Sequence, residues 1–198
     1  MKNLPNILTL VRILVIPIFV FIFYLPYSGA HLTASIIFAC ACATDWLDGY
    51  LARSLKLSTR LGAFLDPVAD KLMVSIALVM IVGESQFQYV SGPNSIVTIP
   101  AAALVVPAAV IVSREIVVSA LREWMAEIGK RTSVAVSWLG KVKTLVQMLA
   151  LIVLLYCGPT TNSFIIFTGY LLIYLAAVLT IWSMVIYLKA AWPDLSAQ

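Results

Sequence analysis

Six apolar runs occupy most of the 198-residue chain: Leu4 to Tyr27, Leu32 to Arg53, Leu61 to Val82, Ile96 to Arg122, Val134 to Tyr156 and Phe164 to Leu188. Each meets the roughly 20 residues a helix needs to cross a bilayer. A stretch such as Leu145 to Tyr156 does not alternate apolar with polar residues, as a membrane barrel strand does over about ten residues. The expected fold is therefore all-α, a polytopic membrane bundle of six transmembrane helices forming one embedded domain over residues 1–198. Composition agrees, with 62% hydrophobic and 11% charged residues, where a soluble domain carries about 25% charged. Disorder is excluded, because it needs low hydrophobicity and high charge.

The joints fix the orientation. Gly, Pro, Asn and Ser mark breaks near 24–32, 84–95 and 157–163, and none of these holds Lys or Arg. Arg53, Lys56 and Arg60, and then Arg122, Lys130, Arg131, Lys141 and Lys143, fall at the intervening ends, with Lys2 and Lys189 toward the termini. The positive-inside rule places every basic end in the cytoplasm, so both termini are cytoplasmic and the number of crossings is even. The first run lacks a small-residue cleavage site and is expected to be a retained helix, not a removable leader. The net charge of +4 speaks to topology and anionic lipid, not to nucleic acid. Trp124, Trp138 and Trp192 at helix ends read as interfacial anchors. Cys40, Cys42 and Cys157 form no C-x-x-C pair and read as small core residues. His31, the single histidine, falls at an outer turn and reads as a surface residue. With one histidine, a Ser-His-Asp hydrolase has no support.

Four of the nine acidic residues, Asp45, Asp48, Asp66 and Asp70, lie close together at the cytoplasmic ends of runs two and three. An Asp at a helix centre costs about 2.5–3.5 kcal/mol on insertion scales, so four near the interface need a reason. At 100° per residue, Asp45, Asp48, Gly49 and Ala52 share one stripe, with Arg53 at its margin, and Gly62, Asp66 and Asp70 share another. Joined by a short basic loop, the two stripes are expected to face each other. Their repulsion calls for a counter-charge, and oxygen donors without His or Cys favour divalent Mg²⁺ or Mn²⁺, with Ca²⁺ as competitor. Gly49, Ala52 and Gly62 leave room for close approach of backbone and ligand. The plainer reading is that solvated acids cap helix ends and that Asp66-Pro67 marks a kink.

Asp45-Trp46-Leu47-Asp48-Gly49-Tyr50-Leu51-Ala52-Arg53, followed after eight residues by Gly62, then Asp66 and Asp70 at intervals of four, is similar to the signature of the CDP-alcohol phosphotransferases. The resemblance extends through Leu4-Pro5-Asn6 to Arg12, through Ser113-Arg114-Glu115 to Trp124, and through Gly140-Lys141-Val142-Lys143-Thr144. It implies two metal ions held by Asp45, Asp48, Asp66 and Asp70, with CMP as leaving group and Asp70 also taking the proton of the attacking hydroxyl. Two metals about 3.5–4 Å apart can stabilise both the attacking and the leaving oxygen at phosphorus. It further implies that Arg53 contacts the pyrophosphate and that Gly49, Ala52, Thr59 and Gly62 line the CDP-lipid pocket. CDP-diacylglycerol as donor, glycerol 3-phosphate as acceptor, a homodimer and a bacterial inner membrane follow from the same resemblance.

A small dianionic acceptor needs fixed cations beside the metal site. Arg114, inside an apolar run, suits bidentate phosphate recognition, and Arg122, Lys141 and Lys143 are further candidates. Against this, Arg122 can pair locally with Glu115 or Glu123, and the lysines can snorkel to the interface. Asn6 and Arg12 of the first run can reach a nucleotide or lipid phosphate, or serve as anchors. The last two runs read as generic membrane helix. A polar cavity is expected to open to the cytoplasm between spans two and three and their neighbours. Serine, inositol phosphate or phosphatidylglycerol are alternative acceptors. A cation transporter using the Asp cluster is the alternative from another class.

Overall fold

The structure, a computed structural model, describes residues 4–55, 60–91, 96–129 and 138–196. Among these, six α-helices make up the architecture: α1 (Leu4–Phe23), α2 (Ala30–Leu55), α3 (Arg60–Gly83), α4 (Ala102–Glu127), α5 (Trp138–Tyr156) and α6 (Ser163–Leu195). The helices pack as a ring in the order α1, α2, α5, α6, α4, α3 and back to α1, with α3 also touching α5 across the centre.

Helices form where the apolar runs predicted them, with two differences. The fourth helix starts at Ala102 and not at Ile96, because Ile96–Thr98 (β2) pairs antiparallel with Tyr89–Ser91 (β1). The β-branched run before Pro100 suits a strand, and the residue ahead of a proline is held out of helical geometry. The sixth helix runs on to Leu195, past the expected end at Leu188. At 1.5 Å per residue it is about 50 Å long, longer than the roughly 30 Å hydrocarbon core. Asn162 begins it by accepting a hydrogen bond from the Phe164 amide at 2.9 Å, the usual service of an N-cap side chain. Pro67 lies inside α3, which is helical throughout Arg60–Gly83.

The main core lies toward the end of the bundle away from Asp45, Asp66 and Asp70 and includes Phe19, Phe38, Leu78, Ile81, Ile111, Leu151, Leu154 and Ile173, all essentially without exposure. Gly169 of α6 faces Leu154 of α5 so closely that a Cβ there would come within 2.5 Å of Leu154 Cδ2; the missing side chain lets these two helices meet. Buried polar atoms are cross-linked between elements: Ser35 Oγ donates to Ile152 O at 2.8 Å, Tyr170 Oη to Phe87 O at 2.8 Å and Gln86 Nε2 to Cys157 O at 2.7 Å. Apolar side chains such as Leu14, Phe21, Val79, Ile116, Leu145, Phe164, Leu171 and Trp182 point outward and are exposed. Exposed apolar residues on every helix of the ring, together with α4 and α6 each long and apolar enough to span a bilayer, mark a membrane protein. Cys40 is exposed on α2, not in the core as expected, while Cys157 is buried.

Candidate active site

The acidic end is organised by α1, which packs against both α2 and α3. Two of its polar side chains reach across: Thr9 donates to Asp66 Oδ1 and Arg12 Nη1 to Asp45 Oδ1. Thr9 and Arg12 are buried, at 1% and 5% exposure, whereas the Asp45 side chain is 42% exposed. The ion pair offsets the cost of burying the guanidinium, and gives Arg12 a structural task that interfacial anchoring did not foresee. Arg12, Asp45 and Asp70 together border a small internal space of about 10 Å³, closed by Phe38, Cys42 and Met148 among others. That is close to the least volume that holds one water-sized particle.

A larger cavity, about 320 Å³, adjoins it. Its described lining comes from α3 (Pro67, Asp70, Lys71, Val74), α4 (Arg114, Glu115, Arg122), α5 (Gly140, Lys143, Thr144, Gln147, Met148) and α6 (Tyr187). Its described lining therefore comes from α3 and its neighbours α4 to α6, with Asp70 on α3 facing α4 and α5. Arg114 donates to Glu115 Oε1 at 3.2 Å and to Ser183 Oγ at 3.1 Å. Lys143 donates to the same Glu115 oxygen. Among the described residues Arg122 forms no ion pair with an acid; it donates to Tyr187 Oη at 2.8 Å. Both guanidinium groups lie over the Tyr187 ring, 5.6 Å away for Arg114 and 5.0 Å for Arg122, within the range of cation–π attraction. The Nε groups of Arg114 and Arg122 are buried without a hydrogen-bond partner. Four cationic side chains against two carboxylates leave the described lining with an excess of two positive charges.

Asp70 and Arg114, Arg122 and Lys143 are thus brought to one cavity. Lys141 is exposed and outside its lining, because it sits two positions from Lys143 on the other side of the helix. Asp66 is exposed and held by Thr9, and Gly62 is buried. Asp48, Gly49, Ala52 and Arg53 lie on the continuous α2 backbone, but their side chains fall outside the described residues, as does Thr59 altogether. Among the described residues, no three His, Cys, Asp or Glu side chains cluster as a metal site. The donor chemistry nonetheless suits a hard divalent cation: carboxylate oxygens from α2 and α3 border one small space, with no His and no thiolate-forming pair competing. Sequence reasoning missed Thr9, Gln147, Ser183 and Tyr187, and it read α6 as generic. The signal was there in spacing, since Thr180, Ser183 and Tyr187 recur at three and four residues, as do Lys143 and Gln147.

Comparison with known proteins shows the family. The sequence model of the CDP-alcohol phosphatidyltransferase family matches residues 2–182. A protein of Yersinia enterocolitica named CDP-diacylglycerol--glycerol-3-phosphate 3-phosphatidyltransferase is 52% identical over 193 residues, covering 98% of this chain and 97% of its own. Proteins of the same name from Yersinia pestis and Salmonella typhimurium are similar at 51% and 50% identity, covering 98% and 99% of this chain and 97% and 98% of their own.

Proposed function

Because this chain belongs to the CDP-alcohol phosphatidyltransferase family, we propose that it transfers the phosphatidyl group of CDP-diacylglycerol to glycerol 3-phosphate, releasing CMP. The observation that carries this reading is the position of Asp70, which borders both the small space shared with Asp45 and the cationic cavity of Arg114, Arg122 and Lys143. A base between the two can serve a donor phosphate on one side and an acceptor on the other. The acceptor's volume and charge match: the cavity is small for a ligand site, and its excess of two positive charges suits a phosphate dianion. The buried Nε groups of Arg114 and Arg122 are donors that a phosphate oxygen would complete, and guanidinium is the side chain best shaped for that.

In the reaction the acceptor hydroxyl oxygen bonds to the phosphorus carrying the diacylglycerol. The bond from that phosphorus to the bridging oxygen breaks, CMP leaves with the electron pair, and the hydroxyl proton passes to Asp70. Tyr187 and Glu115 hold Arg114, Arg122 and Lys143 in place, so that the acceptor is oriented before attack, and such positioning is a large part of phosphoryl-transfer catalysis. Asp45, Asp48, Asp66 and Asp70 would hold divalent metal, Mg²⁺ or Mn²⁺, which when bound neutralises charge on the pyrophosphate. Gly49, Ala52, Arg53, Thr59 and Gly62 would take the CDP moiety.

We further read all six helices as membrane-spanning with both termini cytoplasmic, placing the cavity at the cytoplasmic face of a bacterial inner membrane. The support is the clustering of basic residues at that end. Purified protein with Mg²⁺ and CDP-diacylglycerol, offered glycerol 3-phosphate, serine, inositol phosphate and phosphatidylglycerol in turn, tests the reading. CMP release is expected with glycerol 3-phosphate and lost on chelation by EDTA. Turnover with serine alone would replace the acceptor, and cation flux into liposomes without CMP would replace the activity.

A further inference from the structure

Gln147 lies on α5, one turn beyond Lys143, lines the 320 Å³ cavity and is 3% exposed. Its Oε1 is buried without a hydrogen-bond partner, a condition that buried polar atoms seldom tolerate. Of the other acceptors on the described lining, Asp70 is the one assigned the reacting proton, and three are already engaged. Glu115 accepts from Arg114 and Lys143, the Tyr187 phenol oxygen accepts from Arg122, and the Thr144 hydroxyl donates to Gly140 O at 2.9 Å. Arg and Lys side chains can only donate, so they serve a phosphate and offer nothing to an O–H group. An amide oxygen serves the opposite need: it repels a phosphate oxygen and accepts from a hydroxyl.

We propose that Gln147 accepts a hydrogen bond from the hydroxyl of glycerol 3-phosphate that does not react, and so selects a polyol phosphate over a phosphate ester with a single hydroxyl. The proposal rests on the reading that glycerol 3-phosphate is the acceptor. It divides the work of the cavity: the cations bind the phosphate, Asp70 takes the reacting proton, and Gln147 checks the remaining carbon for oxygen. A site that hydrogen-bonds a substrate hydroxyl discriminates against the analogue lacking it, because the site's own polar atom is then left unpaired.

The test compares glycerol 3-phosphate with 3-hydroxypropyl phosphate, the analogue lacking the middle hydroxyl, by CMP release. The wild-type protein is expected to prefer glycerol 3-phosphate in kcat/KM by roughly 10- to 100-fold. Gln147→Met is expected to remove that preference by lowering kcat/KM for glycerol 3-phosphate alone, with 3-hydroxypropyl phosphate and the KM for CDP-diacylglycerol unchanged. If Gln147→Met does not accumulate in membranes, Gln147→Asn, which draws the amide back by one methylene, carries the same expectation. Equal loss with both acceptors, or a variant that discriminates like the wild type, overturns the role of Gln147 and leaves the activity standing. A wild-type protein that releases no CMP with glycerol 3-phosphate overturns the activity and this proposal with it.

Discussion

The two ends of the bundle each hold a cavity, and the larger one carries less chemistry. The cavity at the end away from the acids, about 560 Å³, is lined by Phe23, Tyr24, Tyr27, His31, Glu84 and the turn around Pro159. Its described lining contains one carboxylate and no Lys or Arg. Its polar groups serve the fold: Tyr27 Oη donates to Thr33 Oγ1 at 2.8 Å, and His31 packs edge-on against Phe23 with ring centroids 4.6 Å apart. The cavity beside Asp70 is little more than half that volume, yet four cations, two acids and an unpartnered amide oxygen converge on its described lining. Volume alone favours one end; the placement of charge that is costly inside a membrane favours the other.

That contrast can be broken by substitution. Asp70→Asn is expected to have the largest effect, a fall in kcat of about 10²- to 10⁴-fold, the usual range for loss of a general base. CMP release at saturating substrates checks it, and retained turnover would remove the base from Asp70. Arg12→Ala, which takes the α1 cation from Asp45, is expected to lower kcat/KM for CDP-diacylglycerol by about 10-fold, with partial recovery in Arg12→Lys. An effect on the acceptor's KM instead would move Arg12 to the other side of Asp70. At the opposite end, Glu84→Gln and His31→Ala are expected to leave both KM values and kcat within about 2-fold, as do most substitutions away from strained or paired groups. A large effect there would abolish the distinction between the ends.

Much of the scaffold was legible because bilayer-length apolar runs and basic joints are local signals. The helix boundaries of α2 and α3 fall within two residues of the expected runs. Asp66 and Asp70 stand four residues apart on one helix, a spacing that needs no knowledge of other helices, and of these Asp70 borders both spaces with Asp45 beside it in the smaller one. What escaped was what depends on packing between helices far apart in the chain. Tyr187 and Arg122 are 65 residues apart, and Ser183 and Arg114 are 69 apart, so the contact of α6 with α4 had to be known before either pair could be seen. Thr9 and Asp66, 57 residues apart, escaped for the same reason. Lys141 and Lys143 looked alike as bases at a helix start, and only the rotation of α5 turns Lys143 inward and Lys141 out. The β1–β2 hairpin was hidden because Ile96, Val97 and Ile99 are as apolar as the helix they precede, and hydropathy does not separate a short strand from the start of a span.

The central claim is that the cationic cavity beside Asp70 holds the acceptor's phosphate, and Arg114→Ala tests it most directly. Arg114 is buried at 7% exposure and is fixed by Glu115, Ser183 and the Tyr187 ring. Removing a guanidinium from a phosphate it binds is expected to raise the KM for glycerol 3-phosphate by roughly 10- to 100-fold, with the KM for CDP-diacylglycerol unchanged. A raised KM for CDP-diacylglycerol with glycerol 3-phosphate unaffected would contradict the account.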